Sequence, residues 1–194
     1  MTKEEARAWG RSKRDRLTPQ EHLILSSCMA SVFTGFLTEL EEDLKFADIS
    51  CFLPIEVVGE PNTFFLLDSV FKSFQDIRLS TTRIDGPDLE PITVSPNAEY
   101  QLGRWDILFD PLAKPLGAFN YPLLVLIPLL AVDCVGNRVG YGKGFYDRFL
   151  ATLPPDIIKM GVSFFPPFPT EFSDVLRTDV SLDVLLTPER VIVF

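Results

Sequence analysis

Apolar positions along the chain fall into short runs separated by polar stretches, and the spacing within the runs alternates between helical and extended types. Thr18-Pro19-Gln20-Glu21 reads as an N-cap, a proline at the first helical position and a capping-box glutamate, which predicts a helix from near residue 19 to about 43. Ala47 to Leu53 is a short apolar run ended by Pro54 and predicts a strand. Asn62 or Thr63 can cap a further helix carrying Phe65, Leu66, Val70 and Phe71. Ile77 to Thr82 is strand-like, and Ile92 to Val94 has a weaker version of the same pattern. Glycine and proline crowd the stretch from about 83 to 121, which reads as loop. Leu123 to Ala131 is apolar without interruption, as in a parallel strand covered on both faces. A helix over Gly144 to Leu153 should stop at Pro154-Pro155. Ile157 to Phe164, Val184 to Leu186 and Val191 to Phe194 supply the remaining strands. Strands alternating with helices predict an α/β fold: a single three-layer domain over residues 1–194, with a central, mostly parallel sheet flanked by helices.

Composition narrows the function. The chain has 194 residues, 46% hydrophobic and 23% charged, as expected for one folded domain. A net charge of −9 repels phosphate backbones and argues against nucleic acid as a general partner. Cys28, Cys51 and Cys134 lie far apart and suggest neither a disulfide framework nor a zinc knuckle, so a reducing, cytoplasmic setting fits. The apolar run Leu123 to Val132 is about ten residues long and contains Pro128, too short for a bilayer, and no apolar segment follows the first charged residues. His22 is the only histidine, which removes histidine-based triads and metal sites unless His22 itself serves. Its polar neighbours make it read as a surface residue.

Charge is unevenly distributed. Residues 1–16 hold six bases (Lys3, Arg7, Arg11, Lys13, Arg14, Arg16) against three acids, so a basic arm, residues 1–17, joins an acidic body. Lys3, Arg7 and Arg11 recur every four residues and Arg14 follows three later, which aligns them on one helix face. By spacing alone this is a solvated face.

Asp133 to Arg148, D-C-V-G-N-R-V-G-Y-G-K-G-F-Y-D-R, joins the long apolar strand to the next helix. Gly140, Gly142 and Gly144 alternate, letting backbone amides approach a ligand closely, and a strand-to-helix junction is where α/β proteins bind phosphates. Arg138, Lys143 and Arg148 add positive charge. Neither a Walker A loop nor a dinucleotide fingerprint fits, since Gly144 follows Lys143 and Phe145 stands where the last glycine would be. Asp147, one turn into the helix, suits a Mg²⁺ ligand beside a phosphate or, equally, an ordinary first-turn acid.

The segment Asn137 to Arg148, preceded by Ala131-Val132-Asp133, resembles the signature of the 5-formyltetrahydrofolate cyclo-ligase family, and the resemblance extends over nearly the whole chain. It implies ATP and Mg²⁺ as cofactors and 5-formyltetrahydrofolate as the small-molecule substrate of a monomer or weak dimer. Lys3 and Arg7 match residues that reach ATP phosphates, against the solvated-face reading. Arg138, Val139, Gly140, Tyr141, Gly142, Lys143, Gly144, Phe145 and Tyr146 match the ATP loop, with Lys143 and Arg138 as its catalytic charges. Tyr141 to Phe145 also face folate, together with Leu53 and Glu60, the latter on the pterin. Asp147 and Asp179 match the magnesium ligands.

Three departures stand out. Thr178 replaces a common histidine, Pro61 replaces a β-branched residue, and the Pro54 to Gly59 loop is long, leaving Glu56 as a competitor of Glu60. The implied reaction needs no enzymic nucleophile, so a chain with one histidine can perform it. Competing readings are an α/β protein that holds a sugar phosphate or acyl-CoA without phosphoryl transfer, and a non-catalytic descendant of the family. Phe52, Phe145 and Tyr146 can stack on a pterin or fill the core.

Overall fold

The computed structural model describes residues 1–40, 47–120 and 123–194. Helix α1 (Lys3–Arg14) and helix α2 (Pro19–Glu39) each begin with a capping box, Thr2 with Glu5 and Thr18 with Glu21. Leu40 caps the end of α2, and the expected continuation over 41–43 lies outside the described residues. Strand β1 (Asp48–Cys51) is followed by helix α3 (Phe64–Ser73). Of its two candidate caps, Asn62 accepts the Phe64 N–H at 3.1 Å, while Thr63 turns inward and donates to the Phe52 carbonyl at 2.6 Å.

Apart from the weakly strand-like Ile92 to Val94, residues from about 83 to 121 read as loop, and the structure corrects this within 83–109. Strand β2 (Arg78–Asp85) continues into a hairpin with β3 (Asp88–Thr93), and Gly86-Pro87 forms the turn. Pro91 lies inside β3 because that strand is an edge and can forgo one ladder hydrogen bond. A small pair, β4 (Gln101–Leu102) and β5 (Leu108–Phe109), follows. The remaining strands are β6 (Leu123–Pro128), the short hairpin β7 (Ala131–Val132) and β8 (Arg138–Val139), then β9 (Ile158–Val162), β10 (Val184–Leu186) and β11 (Val191–Val193), with helix α4 (Phe145–Ala151) between β8 and β9.

The seven-stranded sheet has the order β11-β10-β9-β6-β1-β2-β3. Its five inner strands are parallel and only the two edges run antiparallel. The central strand β6 explains its own continuous apolar run. Leu124 and Leu126 pack with Met29, Phe33 and Leu37 of α2 and Leu66 and Val70 of α3, whereas Leu123, Val125 and Ile127 pack with Phe149 and Leu150 of α4. Each such fully buried side chain contributes roughly 1.5–3 kcal/mol.

Helix α1 stands apart from these layers. Its buried stripe of Ala6, Gly10 and Arg14 lies on the β7–β8 hairpin, where Ala6 meets Ala131 and Val139. Gly10 is required there, since a Cβ would come within 2.3 Å of the Leu130 carbonyl oxygen. This docking delivers the basic arm to the carboxyl end of β6.

Candidate active site

Beyond β6, the loops after β1, β4 and β8 together with α1 and the β2–β3 hairpin line a cavity of about 470 Å³. Every residue singled out from the sequence as a nucleotide, substrate or metal contact lines it: Lys3, Arg7, Leu53, Glu60, the run Arg138 to Tyr146, Asp147 and Asp179. Glu56 does not; it is exposed on the short turn Glu56–Val58, so Glu60 is the carboxylate that the fold turns inward.

The basic stripe divides. Lys3 Nζ donates to Asp179 Oδ2 at 2.6 Å, Arg7 Nε donates to the Gly140 carbonyl at 3.0 Å, and Arg14 is buried, while Arg11 stays exposed. The solvated-face reading therefore holds for Arg11 alone among the four. In the glycine loop, Gly142 and Gly144 adopt positive φ (86° and 67°) and Gly140 does not. Gly144 is the N-cap of α4 and no side chain caps that helix. Lys143 is exposed at the cavity and forms no ion pair among the described residues, whereas Arg148 leaves the cavity to bind the β2–β3 hairpin through Asp88 and the Pro87 carbonyl. Arg148 is thus not the third cation of the loop.

Arg138 is only 5% exposed at its side chain; Nη2 donates to Asp147 Oδ1 at 2.8 Å and Nη1 to the Val180 carbonyl. Asp179 accepts from Lys3 and from the Leu176 N–H. Partial burial pushes the Asp179 carboxyl up, but the Lys3 ammonium, the Leu176 N–H and the Arg138 charge outweigh it and hold the pKa below the usual 3.8. No group of three or more His, Cys, Asp or Glu that could hold a metal ion occurs among the described residues. Asp147 and Asp179 nonetheless share the cavity, and Asp147 Oδ2 and Asp179 Oδ1 accept no hydrogen bond among the described residues. Two hard carboxylate donors fit Mg²⁺, which typically takes one or two carboxylates and completes its shell with phosphate and water.

At the other end, Glu60 is 1% exposed. Oε1 accepts the Tyr141 hydroxyl at 2.7 Å and Oε2 the Ile55 N–H at 2.8 Å. Burial raises its pKa above 4.5, and the Ile55 bond, the Arg14 charge and the Tyr141 bond counter only part of that. His22 is not a free surface residue: Nε2 lies 2.7 Å from the Glu60 carbonyl oxygen and the ring packs edge-on against Phe164. Phe52 and Leu53 are buried beside the cavity, and Phe145 tilts against Trp105.

Sequence reasoning missed Trp105, Asp106 and Ile107, which form one lip of the cavity. Trp105 and Asp106 both hold left-handed backbone, φ 60° and 58°, rare for such residues and found where surrounding structure imposes it. No residue type in that stretch announces it. Thr82, Ile84 and Leu89 of the hairpin also line the cavity; Thr82 falls in the expected strand, whereas Ile84 and Leu89 fall in the stretch read as loop.

The sequence profile of the 5-formyltetrahydrofolate cyclo-ligase family matches residues 2–164. A 5-formyltetrahydrofolate cyclo-ligase from Mycolicibacterium smegmatis is 29% identical over 177 residues, covering 84% of each chain. One from Mycoplasma genitalium is 42% identical over a stretch of 38 residues, which spans 20% of this chain and 23% of that protein. The NMR structure of Aquifex aeolicus 5,10-methenyltetrahydrofolate synthetase superposes with a TM-score of 0.75 at 26% identity, over all of this chain and 93% of the other. The Mycoplasma pneumoniae 5,10-methenyltetrahydrofolate synthetase has the same fold, with a TM-score of 0.71 at 23% identity over 97% of this chain and all of the other.

Proposed function

The chain belongs to the 5-formyltetrahydrofolate cyclo-ligase family, and from that we propose that it closes 5-formyltetrahydrofolate to 5,10-methenyltetrahydrofolate with conversion of ATP to ADP and phosphate. One observation carries the proposal. A single cavity contains a buried carboxylate suited to a pterin, a glycine loop whose lysine forms no ion pair among the described residues and suits a triphosphate, and two carboxylates suited to Mg²⁺.

In this reading the formyl oxygen on N5 attacks the γ-phosphorus as the bond to ADP breaks. N10 then adds to the activated carbon, phosphate leaves with the former formyl oxygen, and the N10 proton is released. No side chain needs to act as a nucleophile, consistent with the residue inventory of the cavity. The work of the chain is positioning and charge neutralisation. Glu60 accepts pterin N–H groups, a charge-assisted interaction of roughly 1.5–3 kcal/mol. Lys143 reaches the transferred phosphoryl oxygens, and Lys3 and Arg7 approach the triphosphate from α1. Arg138 serves the same end of the site from a fixed, ion-paired position. Asp147 and Asp179 would hold Mg²⁺, which when bound neutralises phosphate charge.

The test is direct. The methenyl product absorbs in the near ultraviolet where 5-formyltetrahydrofolate does not, so purified protein should produce that band with substrate, ATP and Mg²⁺ together and with none of the three omitted. A flat trace in the complete mixture ends the proposal.

A further inference from the structure

We propose that Arg14 is a positioning residue for the pterin end of the site, acting on Glu60 through the Tyr141 hydroxyl; this rests on the functional reading above. Arg14 ends α1 and does not line the cavity, yet it is 6% exposed and belongs to the buried stripe of that helix. Nη2 donates to the Leu129 carbonyl at 2.6 Å, just past β6, while Nη1 donates to Tyr141 Oη at 2.8 Å. The guanidinium is thus braced on the backbone that leaves the central strand.

A phenol oxygen has one proton to give. With Arg14 donating to Tyr141 Oη, the Tyr141 proton has Glu60 Oε1, 2.7 Å away, as its acceptor. The Ile55 N–H occupies Oε2 in the same way. Both carboxylate oxygens are thereby fixed by one protein donor each, and each keeps capacity for a ligand N–H. The charge of Arg14 also favours the ionised carboxylate, which burial disfavours. The other groups that face Glu60 are Tyr141 and, more distantly, Tyr146, with His22 on its main-chain oxygen. Among the described residues, Arg14 is the cation of the cluster. Without it the Tyr141 hydroxyl is free to rotate, Glu60 Oε1 loses its committed donor while Oε2 keeps the Ile55 N–H, and the carboxylate loses part of its bias towards ionisation.

Steady-state kinetics on the full chain with Arg14→Met, Tyr141→Phe and the double variant test this. The expected signature is selective: KM for 5-formyltetrahydrofolate rises about tenfold in Arg14→Met, while kcat and KM for ATP stay within twofold. The double variant should be no worse than the poorer single one, because both break the same relay. Equal rises in both KM values, a folate KM within twofold of the parent, or additive single effects overturn the inference. If Arg14→Met does not fold, Tyr141→Phe decides alone, since it removes one hydroxyl; an unchanged folate KM there overturns it. An inactive parent chain sinks the functional reading itself, whereas an active parent with insensitive variants sinks only the role of Arg14.

Discussion

Lys3 Nζ and Asp179 Oδ2 meet at 2.6 Å inside the cavity, joining residues 176 positions apart in the chain. The pair holds Asp179 ionised before any ligand arrives. If Asp179 also contributes to a Mg²⁺ shell, Oδ1, which accepts no hydrogen bond among the described residues, can do so while Lys3 stays on Oδ2. Asp179→Asn keeps the size of the side chain and removes the charge, so the Mg²⁺ concentration for half-maximal turnover should rise at least fivefold. A Mg²⁺ titration at fixed ATP reads this. An unchanged midpoint removes Asp179 from the metal site.

Lys143 and Arg138 should separate activity from stability. Lys143 is exposed and unpaired among the described residues, so Lys143→Ala should lower kcat at least tenfold, about 1.4 kcal/mol of transition-state stabilisation, with Tm unchanged. Arg138→Ala leaves the Val180 carbonyl without its side-chain donor and Asp147 Oδ1 with the Val180 N–H alone. It should lower turnover by a similar factor and also cost roughly 1–3 kcal/mol of stability. Calorimetry and kinetics on both variants check the contrast.

Glu60 predicts an acid limb in folate binding. Its folded pKa lies above 4.5, and only the ionised form accepts two N–H donors, so folate affinity should weaken as pH falls through that raised value. The same shift has a stability consequence of opposite direction. The folded state binds the Glu60 proton more tightly than the unfolded chain does, so this group favours folding below pH 4.5, and that contribution is lost as pH rises through the folded pKa. Glu60→Gln should abolish the acid limb in a plot of log(kcat/KM) for folate against pH. A limb that persists in Glu60→Gln belongs to another group.

Gly10→Ala probes the seat of α1. Its methyl would lie 2.3 Å from the Leu130 carbonyl oxygen, a backbone atom with little room to yield, so the helix must shift. Overpacking of this kind typically costs about 1–3 kcal/mol. Because Lys3 and Arg7 ride on the same helix, KM for ATP should rise with the loss of Tm. A variant that melts earlier yet keeps the parent KM for ATP would uncouple the arm from the nucleotide.

Much of the architecture was legible because burial imposes a pattern. The uninterrupted run of β6 and the capping box of α2 leave direct marks in the sequence, whereas the Thr2–Glu5 box of α1 was not read from it. The β2–β3 hairpin was hidden by its own edge position, where Pro91 is tolerated and the usual rule against proline in strands gives the wrong answer. The glycine loop was readable from residue types, while the lip at Trp105 and Asp106 was not, since its left-handed backbone belongs to residues that seldom adopt it. Arg14 had a visible signal, its spacing from Arg11, but charge periodicity cannot distinguish water from a carbonyl as the partner. His22 misled for the same reason: polar neighbours in sequence did not reveal the Glu60 carbonyl across the fold.

The union of Lys3 with Asp179 also sets an order on biosynthesis. While the ribosome is still adding residues, the amino-terminal helix has emerged without the carboxylate that completes its corner of the pocket. The nascent chain therefore cannot assemble this corner until position 179 has been added and has left the ribosome, and every strand but β10 and β11 precedes that position in the chain.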